Sequence, residues 1–293
     1  MMRRVRGMTI GQNASASKAV LLAAALLATP ASAWAGPSDT YYERAFVVAA
    51  DARCDLFDPR VEAALVAATA QARGAALRSG AAEAELNAAA ARARSRAETV
   101  SCRDPQLNLV RARVDDAFSG WARTPRMTFP GKARSWIADR MAWTRPGWRL
   151  VQASTVGASP VAFGYAGKTE TPALTAVVSF VGRIAQDDAR RIGPRPARSP
   201  RAWLAGGGLA PASSRTSVWA TGVSVADPAL LAEGRGAGDA WRFPAAAAER
   251  LERLDPRETF LVEFHFRDGS VASARFEAGD FAAGQAFVAM GAL

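Results

Sequence analysis

The chain has two cysteines, Cys54 and Cys102, and they stand at the two ends of a stretch that reads as a helical hairpin. Asp58-Pro59 is an N-cap followed by a proline at the first helical position, where the missing N–H costs nothing. Val61, Leu65, Ala68, Ala72 and Ala75 then recur at helical spacing until Ser79-Gly80, a stop signal. Leu86, Ala90, Ala93, Ala97 and Val100 form a second run. Two helices of about 20 residues each run out and back by roughly 30 Å, which brings Cys102 near Cys54. The alanine stripes let the two backbones approach closely but bury little area, so the hairpin needs a partner or a staple. A disulfide is the expected staple, and two free buried thiols are the alternative.

The flanking segments supply the partner. From Ser38 to Phe57, the residues Tyr42, Phe46, Ala50, Cys54 and Phe57 share a helical face, so a first helix delivers Cys54 at its end. Asp104-Pro105 repeats the start device, and Leu107, Val110, Val114, Phe118 and Trp121 form an amphipathic stripe that ends before Pro125. Aromatic faces on helices one and four fill the volume that the alanine faces leave, which predicts a disulfide-clipped four-helix bundle over residues 36–123.

Residues 1–35 contain no acid; Arg3, Arg4, Arg6 and Lys18 precede an apolar run from Ala19 to Ala28, and Ala31-Ser32-Ala33 and Ala33-Trp34-Ala35 both fit small-x-small cleavage sites. This is the pattern of a secretory signal peptide, too short in its apolar part to span a bilayer. It predicts a periplasmic or secreted protein, and an oxidising compartment is where a bridge between the cysteines persists. Removing those four basic residues lowers the formal charge from +10 to +6, and only Lys18, Lys132 and Lys168 of the basic residues are lysines. The arginine excess fits a GC-rich coding sequence, so no nucleic-acid partner is expected, and no later apolar run is long enough for a transmembrane segment.

Residues 124–147 are punctuated by Pro125, Phe129-Pro130-Gly131 and Pro146-Gly147 and read as a connector. Trp136, Arg140, Trp143 and Arg145 interleave there, a composition suited to gripping an anion or glycan. The alternative is that the tryptophans pack inward beneath arginine stems. After Gly147 the period falls to two. Trp148, Leu150 and Gln152, then Val161, Phe163 and Tyr165, then Leu174, Ala176, Val178 and Phe180 alternate as strands do, and Val218 with Ala220 marks another. Phe260, Val262, Phe264 and Phe266 lead through Asp268-Gly269 into Ala272, Ala274 and Phe276, a hairpin. Short helices are expected over Pro244 to Leu254 and from Phe281 to about Met290, the second capped by Asp280. Residues 148–293 therefore read as a mostly antiparallel sheet domain with two short helices, making the whole an α+β, two-domain chain. The segment Arg183 to Arg215, with Arg190, Arg191, Arg195, Arg198 and Arg201 among prolines and glycines, reads as a long loop or a ragged edge strand.

Catalytic patterns are near misses. Gly167-Lys168-Thr169 ends like a phosphate-binding loop, but Ala162 stands where that loop needs glycine. Gly222-Val223-Ser224-Val225-Ala226 resembles a nucleophile elbow, and Asp227, Asp239 or Asp255 with His265 would complete a hydrolase order, yet Ser224 sits in an alternating strand and meets Asp227-Pro228 rather than a long helix. Glu263 and Glu277, on the arms of the last hairpin, are the carboxylate pair to consider for glycosidase chemistry. His265 is the only histidine, and the acids show no calcium-loop spacing, so neither a metal nor a cofactor is expected.

The string from Tyr41 through Cys54 to Asp58-Pro59, the alanine-arginine hairpin, Cys102, the Phe129-Pro130-Gly131 turn and the tail from Arg242-Phe243-Pro244 to Asp280-Phe281 resembles exported proteins of Gram-negative bacteria. The resemblance covers most of the chain after residue 35 and implies no activity. The tail is also similar in element order to the small β-rich domain of invasion-associated locus B proteins, without the cysteines those carry. The reading is an exported, non-catalytic binding or cell-envelope interaction module whose partner is an envelope protein or glycan. Its rivals are a secreted hydrolase using Ser224 and His265 or a carboxylate pair, and anion or glycan binding through the Arg/Trp connector.

Overall fold

A computed structural model describes residues 36–142, 144–168, 172–181, 188–194 and 202–293. The expected signal peptide and Trp143 lie outside the described residues. Four helices come first: α1 Pro37–Cys54, α2 Pro59–Arg78, α3 Glu83–Thr99 and α4 Pro105–Ala122. Asp58 and Asp104 cap α2 and α4 as expected, each carboxylate accepting from the N–H two residues on, at 2.9 and 2.8 Å. Cys54 and Cys102 are joined, with Cα atoms 5.4 Å apart, so the end of α1 is clipped to the chain just beyond α3.

α2 is the centre of the helical part. Ala64, Leu65 and Ala68 pack with Phe57, Leu107, Val114 and Phe118, whereas Ala72, Ala76 and Leu77 pack with Tyr41 and Leu86. Its small residues allow neighbours on several sides, and Ala67 joins the core formed with the strands that follow. Ala35–Leu293 cluster as one compact unit.

The remainder is built on two antiparallel sheets. The first runs β1 Arg126–Pro130, β2 Ser135–Asp139, β3 Gly147–Val156, β4 Ser159–Gly167, β5 Ala173–Val178, β9 Asp239–Arg242 and β8 Gly222–Val225, in that spatial order. The second runs β11 Val271–Glu277, β10 Thr259–His265, β6 Asp188–Pro194 and β7 Arg215–Trp219. Alternation sends Phe163, Leu174, Ala176 and Val178 of one sheet and Phe260, Val262, Phe264 and Phe276 of the other into a shared core. Phe163 meets Phe260 at 5.3 Å and Phe276 at 5.5 Å between ring centroids. The buried Gln152 side chain extends the pairing across the gap: its Nε2 donates to Glu277 O at 3.2 Å and its Oε1 accepts from Glu277 N at 2.8 Å. Two helices close the fold, α5 Ala245–Glu252 and α6 Phe281–Ala289, and α6 packs against both α2 and the strands.

Three expectations change. Residues 124–147 are not a plain connector, because β1 and β2 lie there as a hairpin in the first sheet. Part of the proline-arginine segment is β6, paired on both sides with β10 and β7 rather than lying at an edge. Pro194 is tolerated because it ends the strand. Asp280 precedes α6 but makes no side-chain cap; its carboxylate turns to Arg78 on α2 instead.

Candidate functional site

A cavity of about 240 Å³ opens where the end of α2, the β1–β2 turn, the segment at Leu204 and the turn before β10 meet; Arg78, Lys132, Leu204, Pro256 and Arg257 line it. Each cation arrives there for a local reason. Arg78 is the last residue of α2, where a positive charge faces the negative end of the helix dipole. Lys132 follows Gly131 in the turn between β1 and β2. This turn is held by one carboxylate, that of Glu277: the N–H groups of Lys132, Ala133 and Arg134 donate to its Oε2 at 2.6, 2.9 and 3.1 Å. Gly131 leaves room for it, since a Cβ there would stand 2.5 Å from Glu277 Oε2. Arg257 is fixed by Asp255, which accepts from its Nε at 2.9 Å and its Nη2 at 2.8 Å, and this pairing pushes the guanidinium pKa further up.

The charges are sorted by depth. Asp255, Glu258, Glu277 and Asp280 are buried, while Lys132 is exposed and the Arg78 and Arg257 side chains are 21% and 31% exposed. The acids are occupied from behind: Glu258 accepts from Trp203 Nε1 at 3.1 Å and from Asp255 N at 3.2 Å. A solute entering the cavity meets the cations first, two of them already locked in orientation by a carboxylate, against apolar walls from Leu204 and Pro256. Such an arrangement can take an anionic head with a short apolar body.

Asp280 is the acid of this set whose burial is only partly offset. It lies against α2, where Gly74 lets it in, because a Cβ at position 74 would overlap the carboxylate. Burial pushes its pKa above the ordinary 3.8, with Arg78 pulling it back, and among the described residues its Oδ2 has no hydrogen-bond partner. The folded chain thus holds the Asp280 proton more tightly than the unfolded chain does. The stability this gives is complete below the ordinary carboxylate range and is lost as pH rises through the raised value. Asp280→Asn is therefore expected to gain on the wild type in urea denaturation as pH is raised from about 3.5 to 7. A gap that is flat, or that moves toward the wild type, would mean that the Arg78 ion pair outweighs burial.

The residues singled out in the sequence are dispersed. Trp136 is fully buried and donates from Nε1 to Glu277 O and Ala278 O at 3.2 and 2.9 Å. Arg140 is 4% exposed, its guanidinium donating to Ala122 O at the end of α4 at 3.1 Å and to Gly291 O beyond α6 at 2.7 Å. It neutralises two helix C-termini, and desolvation lowers its pKa. Arg145 is exposed. Trp136 and Arg140 are thus structural, and Trp143 lies outside the described residues. Ser224 lies on the exposed edge strand β8, whereas His265 belongs to the second sheet, with Nε2 3.2 Å from Glu263 Oε2 and its ring 5.4 Å from Trp219. Ser224 and His265 thus belong to different sheets, and among the described residues no hydrogen bond joins them. Glu277 is opposite Thr259 and Ser273 opposite Glu263, so the two glutamates are four residues apart along the hairpin, about 13 Å between backbones. With Glu277 holding the β1–β2 turn, they are not a glycosidase pair.

Arg78, Lys132 and Arg257 come from three distant segments and follow no spacing motif, which is why sequence reasoning did not collect them. Among the described residues no group of three or more His, Cys, Asp or Glu side chains is placed to hold a metal ion, and no helix is long and apolar enough to cross a membrane. Comparison of the chain with known protein families, curated proteins and solved structures found no match. By fold it is an α+β protein, a disulfide-clipped helical bundle against two antiparallel sheets.

Proposed function

We propose that the protein is a non-catalytic binding module of the cell envelope, periplasmic or secreted, whose cavity at Arg78, Lys132 and Arg257 takes a small carboxylate with a short apolar chain. The observation that carries this reading is the sorting of charge by depth: buried carboxylates lock the guanidiniums from behind, so ordered N–H donors and the exposed Lys132 ammonium line a small apolar-walled cavity. Ordering the donors before the ligand arrives lowers the entropic cost of binding. Export is supported by the basic-then-apolar N-terminal pattern and by a disulfide of the kind that persists outside the reducing cytosol.

Titration of the purified protein with hexanoate, followed by amide chemical shifts, tests the proposal. Shifts are expected at residues 131–134, 204 and 257, and Lys132→Ala is expected to weaken binding about 5- to 10-fold, the contribution of one charge-assisted contact. Lys132 is the residue to change because its side chain is exposed and, among the described residues, holds no other group. Absence of shifts up to about 10 mM hexanoate, or equal affinity in the variant, would sink the reading.

A further inference from the structure

We propose that the outer face of the first sheet carries a second ligand site, for the phosphate group of a small organic phosphomonoester, built from Lys168, Arg242 and Ser224 over a floor at Thr175. The register puts these residues together. Thr175 lies directly opposite Arg242, and Gly222 is opposite Arg242 on the other side. Ser224 is opposite Ala240, two positions along. Directly opposed residues share a face, and residues two apart on a strand share it too. Thr175, Ala173, Arg242, Ala240 and Ser224 therefore all lie on the side away from the core, since Leu174, Ala176 and Trp241 are the core residues between them. Across the β4–β5 pair, Ala166 is opposite Ala173, and Lys168, in the bend just past β4, lines the same hollow.

The face is hollow because its floor is small. Ala166, Ala173 and Ala240 present methyl groups where most sheets present larger side chains, and a cavity of about 330 Å³ stands over them. Its walls are Pro146 and Leu230. Leu230 ends a short 3-10 turn, Pro228–Leu230, tied down by Trp148 Nε1 donating to Leu230 O at 3.2 Å. Asp227, the one acid in the lining, is occupied in capping that turn: its Oδ1 accepts from Ala229 N at 2.9 Å. Among the described residues neither Lys168 nor Arg242 is ion-paired through its side chain. Two unpaired cations and an exposed serine hydroxyl converge on one hollow, with Thr175, 4% exposed, at its base.

That donor set fits a tetrahedral dianion. The guanidinium offers a planar fork, the ammonium a point charge, and the serine hydroxyl a short neutral contact. The volume is within the range of small-molecule sites, leaving room beside Pro146 and Leu230 for the organic part of an ester. The site shares no residue with the cavity at Arg78, Lys132 and Arg257, so it stands independently of the carboxylate proposal. It also gives Gly167-Lys168 and Ser224, two near misses in the sequence, a common location without nucleophilic chemistry.

Calorimetric titration of the full chain with glycerol 2-phosphate, inorganic phosphate and sulfate, in sodium chloride of matched ionic strength, is the test. Glycerol 2-phosphate is expected to bind more tightly than inorganic phosphate, with sulfate weaker still. Lys168→Ala and Arg242→Ala are each expected to weaken it about 10-fold. If Arg242→Ala melts early, Lys168→Ala decides alone, since among the described residues that side chain holds no partner. No heat from glycerol 2-phosphate at about 10 mM, or equal binding by wild type and Lys168→Ala, overturns the site. Equal affinity for glycerol 2-phosphate and inorganic phosphate overturns the ester.

Discussion

Replacing Phe163 with alanine is expected to destabilise the protein by about 3–5 kcal/mol, the range for emptying a fully buried aromatic position. Phe163 is at the centre of β4 with no exposed surface. Its ring contacts Phe260 and Phe276 in the opposite sheet, Phe243 beyond β9 at 5.8 Å between centroids, and Trp136 of β2 at 6.5 Å. Neighbours on both sheets are held by their own ladders, so they cannot collapse into the space, and the cavity cost adds to the lost transfer energy. Phe163→Leu, which keeps most of the volume, should cost less than half as much. Urea denaturation of the two variants at unchanged slope measures the difference. A loss below about 1 kcal/mol for Phe163→Ala would mean that the sheets do not share this ring as a common contact.

How much of this was legible depends on how local each signal is. The helical hairpin, its Asp-Pro caps and the meeting of Cys54 with Cys102 follow from spacing along one short stretch, and the structure places them as the spacing predicts. The β10–β11 hairpin was legible for the same reason, an alternating run on each side of Asp268-Gly269. β1 and β2 were not, because each has five residues and their prolines and glycines read as punctuation. Alternation was there to be found: Trp136 and Ala138 are buried while Ile137 between them is 45% exposed. Arg140 misled through its charge. A basic residue beside tryptophans suggests a surface, but carbonyls at the ends of α4 and α6 can satisfy a guanidinium better than solvent-facing partners would. β6 was hidden by its arginines and Pro194, since a strand paired on both sides is usually apolar. Both candidate cavities were beyond reach in principle. Their side chains are gathered by strand register and by the packing of α2 on α6, and register is decided by long-range pairing that no local window contains.

Removing the disulfide is the second large effect. The bridge closes a separation of 48 residues, worth about 4 kcal/mol by the chain-entropy estimate, so a Cys54→Ser, Cys102→Ser double variant and the reduced wild type should both fall by that amount. The loss should begin in α1. That helix packs chiefly on α2 and α3, and the faces it meets are rich in alanine, whereas α2 is also anchored by α4, by α6 and through Ala67 by the main core. Other ties of α1 survive reduction: the Arg53 guanidinium donates to Glu98 O at 3.2 Å and also to Val100 O, and the half-buried Arg44 donates from Nη1 to Ala68 O on α2 at 2.7 Å. The Arg53 contacts are exposed and offset little of the loss, and the single Arg44 bond contributes about 1 kcal/mol, well short of the bridge. Hydrogen exchange of the reduced protein should therefore show α1 amides exchanging fastest among the helices, with β3, β4 and β10 still protected. If the reduced chain instead loses α1 and the sheet core together, the bundle and the sheets unfold as one unit, and the bridge stabilises the whole fold rather than the seat of its first helix.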